Sequence, residues 1–600
     1  MPRINKPIID YTSRDFATIK NQLINYAEKY YPEAFQDFNE ASFGSLMLDM
    51  VSYIGDVLSF YTDYQVNESF LETATEFDNV LNLSKQFGYK YQPNASSFGE
   101  ASFFVEVPTS AVSAEPDFSY MPILRKGSTF SSDTNTMFTL IEDVDFNASS
   151  DQIVVAQTNN FGTAPTHYAI KAKGVVASGE TSSQVFTIGA YQKFLRLEIS
   201  DTNLTEIISV FDSDGNNYYE VDYLTQDTVF VPVLNTLAET KSVRNILKPI
   251  TVPRRFVVEK NISNTFLQFG YGTGDNVEKV LDPTSVILDR FGKDYIQEKS
   301  FDPTDLIKTD KLGVVPSETL LTVIYRRNTT ATVNIATGRL KNVITARWRY
   351  PGSQDQSLNV VKTSRIENSL EVLNEEAITG DAALMSSDEL KQRALGAYGA
   401  QNRAVTKEDY IYLAYNMPSM FGQVKKAMIT RDTDSFNGKN LNMYTISVDP
   451  DGKLVQTNSV IKKNLKTWLS KYKLLGDTID ILDAKIMNLE ISFTLIAYMN
   501  INKYDVLDAC MTTLTNFYRN KYFDIGEPFK ITDVYKLLNN VSSVLDVKDV
   551  TVVPKSGGNY SDFELLYGDM ILDDGRYLIP PEDVIFELKY SSLDVQGEVL

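Results

Sequence analysis

Leu489-Glu490-Ile491-Ser492-Phe493-Thr494-Leu495-Ile496-Ala497-Tyr498-Met499 alternates apolar Leu489, Ile491, Phe493, Leu495, Ala497 and Met499 with polar Glu490, Ser492 and Thr494. Period-two alternation of this length predicts a half-buried β-strand. A helical pattern follows from about Lys503 to Tyr518, with Leu507, Cys510, Met511, Leu514, Phe517 and Tyr518 on its buried side. A second helix over Thr532–Val541 leads into a strand over Asp546–Val553. Strand, helix, helix, strand predicts an α+β sandwich of ferredoxin-like kind over 479–555, with an irregular extension over 556–600.

Upstream, 351–478 reads as mainly helical. Ser386 with Glu389 makes a capping box for a helix through Tyr398, and Thr406 with Asp409 begins another that ends before Pro418. Ile461, Leu465, Trp468, Leu469 and Tyr472 mark a third, closed by Gly476. Its lysines, Lys462, Lys463, Lys466, Lys471 and Lys473, form a basic patch that suits either solvent or an acidic partner.

From 96 to 350 the pattern is β-rich: short alternating runs such as Ala101–Val107, Gln152–Gln157, Phe194–Ser200, Ile207–Phe211 and Tyr218–Tyr223, with turn signals between them. The acidic run Asp212-Ser213-Asp214-Gly215-Asn216-Asn217 is not an EF-hand loop, because Asn217 and Tyr223 stand where that loop needs glycine and a bidentate glutamate. An Asp-Gly hairpin turn accounts for it. Gly270-Tyr271-Gly272-Thr273-Gly274 fits neither the dinucleotide fingerprint nor the P-loop and is expected to make a tight turn after the strand Thr265–Phe269. The polar stretch Gln92–Gly99 reads as a linker.

The first 95 residues read as a helical bundle region. Thr12 with Asp15 resembles a capping box, and Phe16, Ile19, Leu23, Tyr26, Ala27 and Tyr30 recur at helical spacing until Pro32. A longer helix starts near Ser42 and runs to about residue 71, and a third covers Thr75–Phe87 with Gly88 beyond it. On the long helix Leu46, Met50, Tyr53, Ile54, Val57, Leu58, Tyr61 and Tyr64 form a stripe broad enough for more than one neighbour. Leu46, Met50, Tyr53, Ile54, Val57 and Tyr61 are therefore the candidate partner-interface residues. Asp49, Asp56 and Asp63 lie two turns apart, about 10 Å at 1.5 Å per residue, too far to share one ion. They suit a solvated or salt-bridging edge.

Composition narrows the chemistry. One histidine, His167, and one cysteine, Cys510, serve 600 residues, so transition-metal, thiol and imidazole catalysis are poorly supplied. His167 lacks a second histidine or cysteine with which to bind a metal, and Cys510 is expected in a core. With 57 Lys+Arg against 78 Asp+Glu, a net of −21, the chain repels a phosphate backbone. Its opening residues lack an apolar signal core, and no run of 18 uncharged apolar residues occurs, so a soluble chain with no membrane insertion is expected. A glycosidase needs only two carboxylates, which leaves a carbohydrate-active enzyme as one alternative, against which two tryptophans are few for stacking sugars. A receptor-binding protein is the other, although no fibrous repeat is visible.

Phe266-Leu267-Gln268-Phe269-Gly270-Tyr271-Gly272, Leu321-Thr322-Val323-Ile324-Tyr325 and Asn402-Arg403-Ala404-Val405-Thr406-Lys407-Glu408-Asp409-Tyr410 resemble the baseplate J family of contractile phage tails. Tyr11–Phe16 and Leu48–Asp56 are similar, more narrowly, to the large inner-ring wedge proteins of T-even-type phages. The resemblance covers about residues 10–555. It implies a structural subunit of the virion tail baseplate, assembled in the host cytoplasm, with paired copies in a ring of twelve around the tail hub that rearranges on sheath contraction. It implies contacts with itself through C-terminal domains, and with other wedge and hub proteins through a bundle of N-terminal helices. No catalytic residue, cofactor, metal, nucleic acid or small-molecule substrate is implied.

Overall fold

The computed structural model describes residues 14–31, 33, 42–93, 95–110, 115–147, 150–159, 164–234, 245–261, 264–273, 312–330, 332–351, 358–381, 385–432, 440–498, 501–519, 521–565, 570–571 and 575–599. The chain forms two compact units, one from Met1–Tyr91 with Ala383–Tyr412 and the other from Gln92–Ala382 with Leu413–Leu600. It is α+β and multidomain, as expected.

In the first unit, α1 is Phe16–Tyr30, α2 is Phe43–Glu68 and α3 is Phe77–Gln86. Asp15 caps α1 by accepting from the Thr18 amide at 2.9 Å, and Ser42 caps α2 by accepting from the Ser45 amide at 3.1 Å. Thr12, read as the capping partner, lies outside the described residues. α2 stops at Glu68, three residues before the expected end. The core of the unit lies around α3, where Val80 and Leu81 pack with Leu390 and Ala394 of the helix Ser387–Ala400. The helical region is thus completed by a segment nearly 300 residues downstream, which sequence order placed elsewhere.

The segment resembling the baseplate J family is the corner after that helix. Gln401 and Asn402 both adopt left-handed backbone, which ends the helix, and the Arg403 amide donates to the Ala400 carbonyl at 2.9 Å. The next helix, Lys407–Tyr415, opens with a reciprocal box. The Asp409 amide donates to Thr406 Oγ1 at 3.2 Å, and Asp409 Oδ2 accepts from the Thr406 amide at 2.9 Å and the Val405 amide at 3.1 Å. Ala404 and Tyr410 are buried beside it. These motif residues make a helix junction.

The second unit holds several sheets. One has spatial order Leu340–Thr345, Thr129–Ser132, Met137–Leu140, Pro165–Ser178, Phe98–Pro108, Glu371–Leu373, with Ser150–Thr158 also on Pro165–Ser178. Its core contains Phe103, Phe130, Phe138 and Phe146. Another runs Glu180–Ile188, Thr319–Arg327, Leu204–Asp212, Asn217–Glu220, Arg255–Lys260, Thr265–Phe269, Arg196–Ile199. Its two edge strands are bridged by Gln184, which donates to Ser200 Oγ and accepts from the Ser200 amide, each at 3.1 Å.

Four readings change here. Gln92–Gly99, read as a linker, begins the second unit. Among its described residues Ser96 and Ser97 are fully buried: the Ser97 amide donates to Ser178 Oγ at 3.0 Å, and Ser97 Oγ donates to Asn334 Oδ1 at 2.6 Å. Gly270 serves a close approach instead of a tight turn, since a Cβ there would lie 2.1 Å from the Leu312 carbonyl oxygen. Gly274 is outside the described residues. The span 351–478 holds strands besides its helices, because Lys426–Arg431 and Asn440–Val448 pair as antiparallel strands and Thr478–Asp483 adds to them in parallel. Helix Ser459–Leu469 ends before Gly476, and its lysines are partly neutralised, Lys462 by Asp483 at 2.6 Å and Lys466 by Asp480 at 3.2 Å.

The fourth concerns the C-terminus. Strand Lys485–Ala497 buries Leu489, Ile491, Phe493 and Leu495 as the alternation requires, and pairs antiparallel with Val544–Lys555. Its other edge takes Val584–Glu587 and Val595–Val599, both parallel. The last residues are therefore part of the sheet instead of an irregular extension, and the pairing departs from the ferredoxin-like arrangement expected. Helix Lys503–Arg519 buries Val506, Cys510, Leu514 and Tyr518, while Phe517 is exposed. Burial pushes the Cys510 thiol up to about 11, which keeps it protonated and inert.

Candidate interaction surface

The inner side of α2 is small and polar, and its bulky apolar side chains point outward. Ser45 and Ser52 are buried, with Ser52 Oγ donating to the Leu48 carbonyl at 2.7 Å, so its hydroxyl is satisfied inside the helix. α1 seats on this side. A Cβ at Gly55 would lie 3.1 Å from Ile19 Cδ1, and Lys20 pairs with Asp49 at 2.6 Å. Asp49 is thus a salt-bridging edge residue. Among the described residues, no group of three His, Cys, Asp or Glu is placed to hold a metal ion.

Five of the six candidate interface residues are exposed: Leu46 53%, Met50 54%, Tyr53 63%, Ile54 54% and Tyr61 58%. Val57 is half-buried. Phe43, Met47, Val51, Leu58 and Phe60 are exposed as well, so the apolar surface extends around the helix beyond the stripe. The signal for the additional residues was available, since Phe43–Tyr61 contains only two charged side chains. α1 adds Tyr26, Tyr30 and Tyr31, with Tyr26 and Tyr30 rings 4.7 Å apart, and buries none of its own residues. Monomers rarely expose contiguous apolar patches beyond a few hundred Å². By length and composition α2 could also cross a membrane.

The far end of α2 is held by Glu68. Its carboxylate accepts from the Thr75 amide at 2.8 Å, Thr75 Oγ1 at 2.7 Å, Asn79 Nδ2 at 2.9 Å and the Glu76 amide at 3.3 Å, which caps the start of α3. Burial alone would raise its pKa; the hydrogen bonds from Asn79 and Thr75 outweigh that and hold it below the ordinary 4.5. A depressed carboxyl stabilises the fold above its unfolded pKa and ceases to do so as pH falls through the folded value. The α2–α3 corner is therefore expected to loosen below about pH 4.5, and Glu68→Gln should flatten that dependence. Hydrogen exchange of the Thr75 and Glu76 amides between pH 3 and 7 measures it; a Gln variant with the wild-type profile would exclude this role for Glu68.

His167 lies within strand Pro165–Ser178, half-buried opposite Pro108. Burial and the Arg365 guanidinium lower its pKa, so it is neutral near pH 7. The acidic hairpin turn is filled by its own chain: Asp212 accepts from the Asp214 amide at 3.0 Å and the Asn216 amide at 2.8 Å.

Residues 15–86, which span α1 to α3, match the family model of the bacteriophage baseplate protein N-terminal domain. That segment is similar to a phage baseplate domain, over about an eighth of the chain. No curated protein matches the sequence. Among solved structures, a chain of the cryo-EM structure of the anti-feeding prophage baseplate, 6-fold symmetrised, is similar at 10% identity, over 96% of this chain and 98% of that one. Its TM-score is 0.26, at which the likeness carries no argument. The matched segment contains every candidate interface residue, and the outward apolar side of α2 lies within it.

Proposed function

We propose that the chain is a structural subunit of a contractile-tail baseplate wedge, of the baseplate J-like kind, that helps form the inner ring around the tail hub and rearranges when the sheath contracts. The observation that carries this reading is the apolar side of α2, left uncovered by the chain itself within the matched segment. Helices of other wedge proteins would cover it, as apolar knobs on one helix fit grooves on another. Copies of the chain would pair and close into the ring, twelve in all. Such a ring works mechanically, through alternative packings close in free energy that signals from the tail periphery can shift. No nucleic acid, membrane or small-molecule substrate enters the reading. Electron microscopy of the intact particle, with this chain located in it, is the test. A ring position with α2 inside an interchain helix bundle is the expected result; a peripheral position with α2 facing solvent or lipid overturns it.

A further inference from the structure

Every strand of the sheet that runs from Glu180–Ile188 to Arg196–Ile199 lies between residues 180 and 327, and every strand of the sheet built on Phe98–Pro108 lies outside that span. The cores divide the same way. Ile188, Leu267, Phe269 and Tyr325 belong to one, Phe103, Phe130 and Ile335 to the other, and no apolar residue serves both or is shared with the core of the C-terminal sheet. The described part of 180–327 is thus a domain inserted into a larger body and reached by two chain crossings. One crossing is the single residue Gly179, between strands Pro165–Ser178 and Glu180–Ile188. The other follows Arg327, at Asn328. They lie side by side: Ser178 Oγ donates to Asn328 Oδ1 at 3.0 Å, and a Cβ on Gly179 would stand 2.5 Å from the Arg327 carbonyl oxygen. Gly179 has φ +101°, a backbone conformation open to glycine.

Both crossings are tied to the two sides at once. The Gly179 amide donates to the Met137 carbonyl and its carbonyl accepts from Thr139 Oγ1, each at 2.7 Å and on the body, while the next residue, Glu180, already pairs with Arg327 in the insertion. The Asn328 amide donates to the Asn203 carbonyl of the insertion at 3.0 Å, and its Nδ2 donates to the Ala95 carbonyl of the body at 3.1 Å. Elsewhere Met137–Leu140 runs beside Glu180–Ile188, the turn Ser419–Phe421 lies beside Leu204–Asp212, and Asp222 approaches Tyr472. Arg326, 3% exposed, reaches out of the insertion: its Nη2 donates to Ser96 Oγ at 3.0 Å, and its guanidinium lies 5.6 Å from the centre of the Phe98 ring. Its carboxylate partner, Glu206 at 3.4 Å, sits on the insertion itself.

We propose that the insertion turns as one body about an axis through Gly179 and Asn328, with Arg326 as the latch that holds the closed arrangement. Domains that share no apolar core and meet through polar groups move relative to one another by default. Hinges are a few residues at element ends that absorb the change in backbone angles, and two adjacent crossings leave free the rotation about the line that joins them. Opening separates no ion pair at the latch, because the guanidinium keeps Glu206 as it leaves Ser96. The Ser96 hydroxyl and the Ala95 carbonyl then take water in exchange. The inference concerns the chain alone and does not depend on the baseplate reading.

Ala190 is exposed just past the end of Glu180–Ile188 remote from Gly179, about 30 Å along the strand at 3.3 Å per residue, where rotation moves it most. In the full chain Ala190→Cys carries one fluorophore, and Leu475→Cys or Val154→Cys, both exposed and outside the insertion, carries the other; the native thiol of Cys510 is buried. Single-molecule energy transfer is expected to show a main distance and a minor second one, and Ser96→Ala should raise the minor population about fivefold, the worth of one neutral hydrogen bond. Ala190→Cys with Ile208→Cys, both on the insertion, should keep a single distance throughout. One unchanged distance for both outer pairs, in the wild type and in a folded Ser96→Ala chain, overturns the hinge. A shift in the insertion's own pair does so too, since the domain would then deform instead of turning. If Ser96→Ala does not fold, the wild-type distribution decides alone: two distances support the hinge and one overturns it.

Discussion

Met50→Asp combined with Ile54→Asp is expected to leave the purified chain about as stable as the wild type while lowering the yield of assembled particles roughly a hundredfold or more. Both side chains are more than half exposed, so an aspartate at either position stays hydrated in the isolated chain. The cost there is the difference in helix propensity, about 0.5 kcal/mol per residue. Once a partner helix covers the surface, each carboxylate must be desolvated without a counterion, which costs several kcal/mol. Two such residues on adjacent turns exceed what a helix contact supplies. Thermal melting of the purified variant and particle counts from cells carrying it separate the two effects. Normal particle yield would show that α2 has no partner on that side; a collapsed melting temperature would show that the surface is covered within the chain.

Asn334→Leu should be the most damaging single change in the second unit, at about 3–5 kcal/mol, or a fall on the order of 10 °C in the melting of that unit. Asn334 is buried and makes four hydrogen bonds. Its Nδ2 donates to the carbonyls of Asp381 at 2.8 Å and Val448 at 3.0 Å; its Oδ1 accepts from Ser97 Oγ at 2.6 Å and the Asp381 amide at 3.0 Å. Leucine fills the same space and satisfies none of these groups, so the loss is desolvation of unpaired polar atoms and not a cavity. Ser97→Ala removes one of the four bonds and should cost only about 1 kcal/mol. Comparing the two by calorimetry tests the assignment. Equal losses would place the stabilisation elsewhere in the network around Ser96, Ser97 and Ser178.

Local chemistry was legible in the residues. The strand at Leu489–Ala497 followed from alternation, because one face of a sheet is buried and the pleat has period two. The caps at Ser42, Ser386 and Thr406–Asp409 followed from the need of helix N-termini for side-chain acceptors. The core position of Cys510 and the hairpin turn at Asp212 were also readable, because each depends on neighbours close in sequence. The apolar character of α2 was plain as well, and residues 15–86 of the N-terminal block match the model of a phage baseplate N-terminal domain.

Only tertiary structure decided which faces are covered. The stripe on α2 reads as a surface for partners, but that the chain itself leaves its large side chains outside while burying Ser45, Ser52, Asn67 and Glu68 is a matter of packing. Hydrophobic periodicity tells which residues would benefit from burial, but the order in which neighbours arrive decides which obtain it. Gln92–Gly99 shows the converse. The stretch reads as a linker because polarity usually marks loops, while distant Ser178 and Asn334 supply the partners that make burial of its serines tolerable. The strands Val584–Glu587 and Val595–Val599 were invisible for the same reason: a short run becomes a strand when a long, already formed edge such as Lys485–Ala497 offers it a ladder, and that edge is roughly a hundred residues away in the chain.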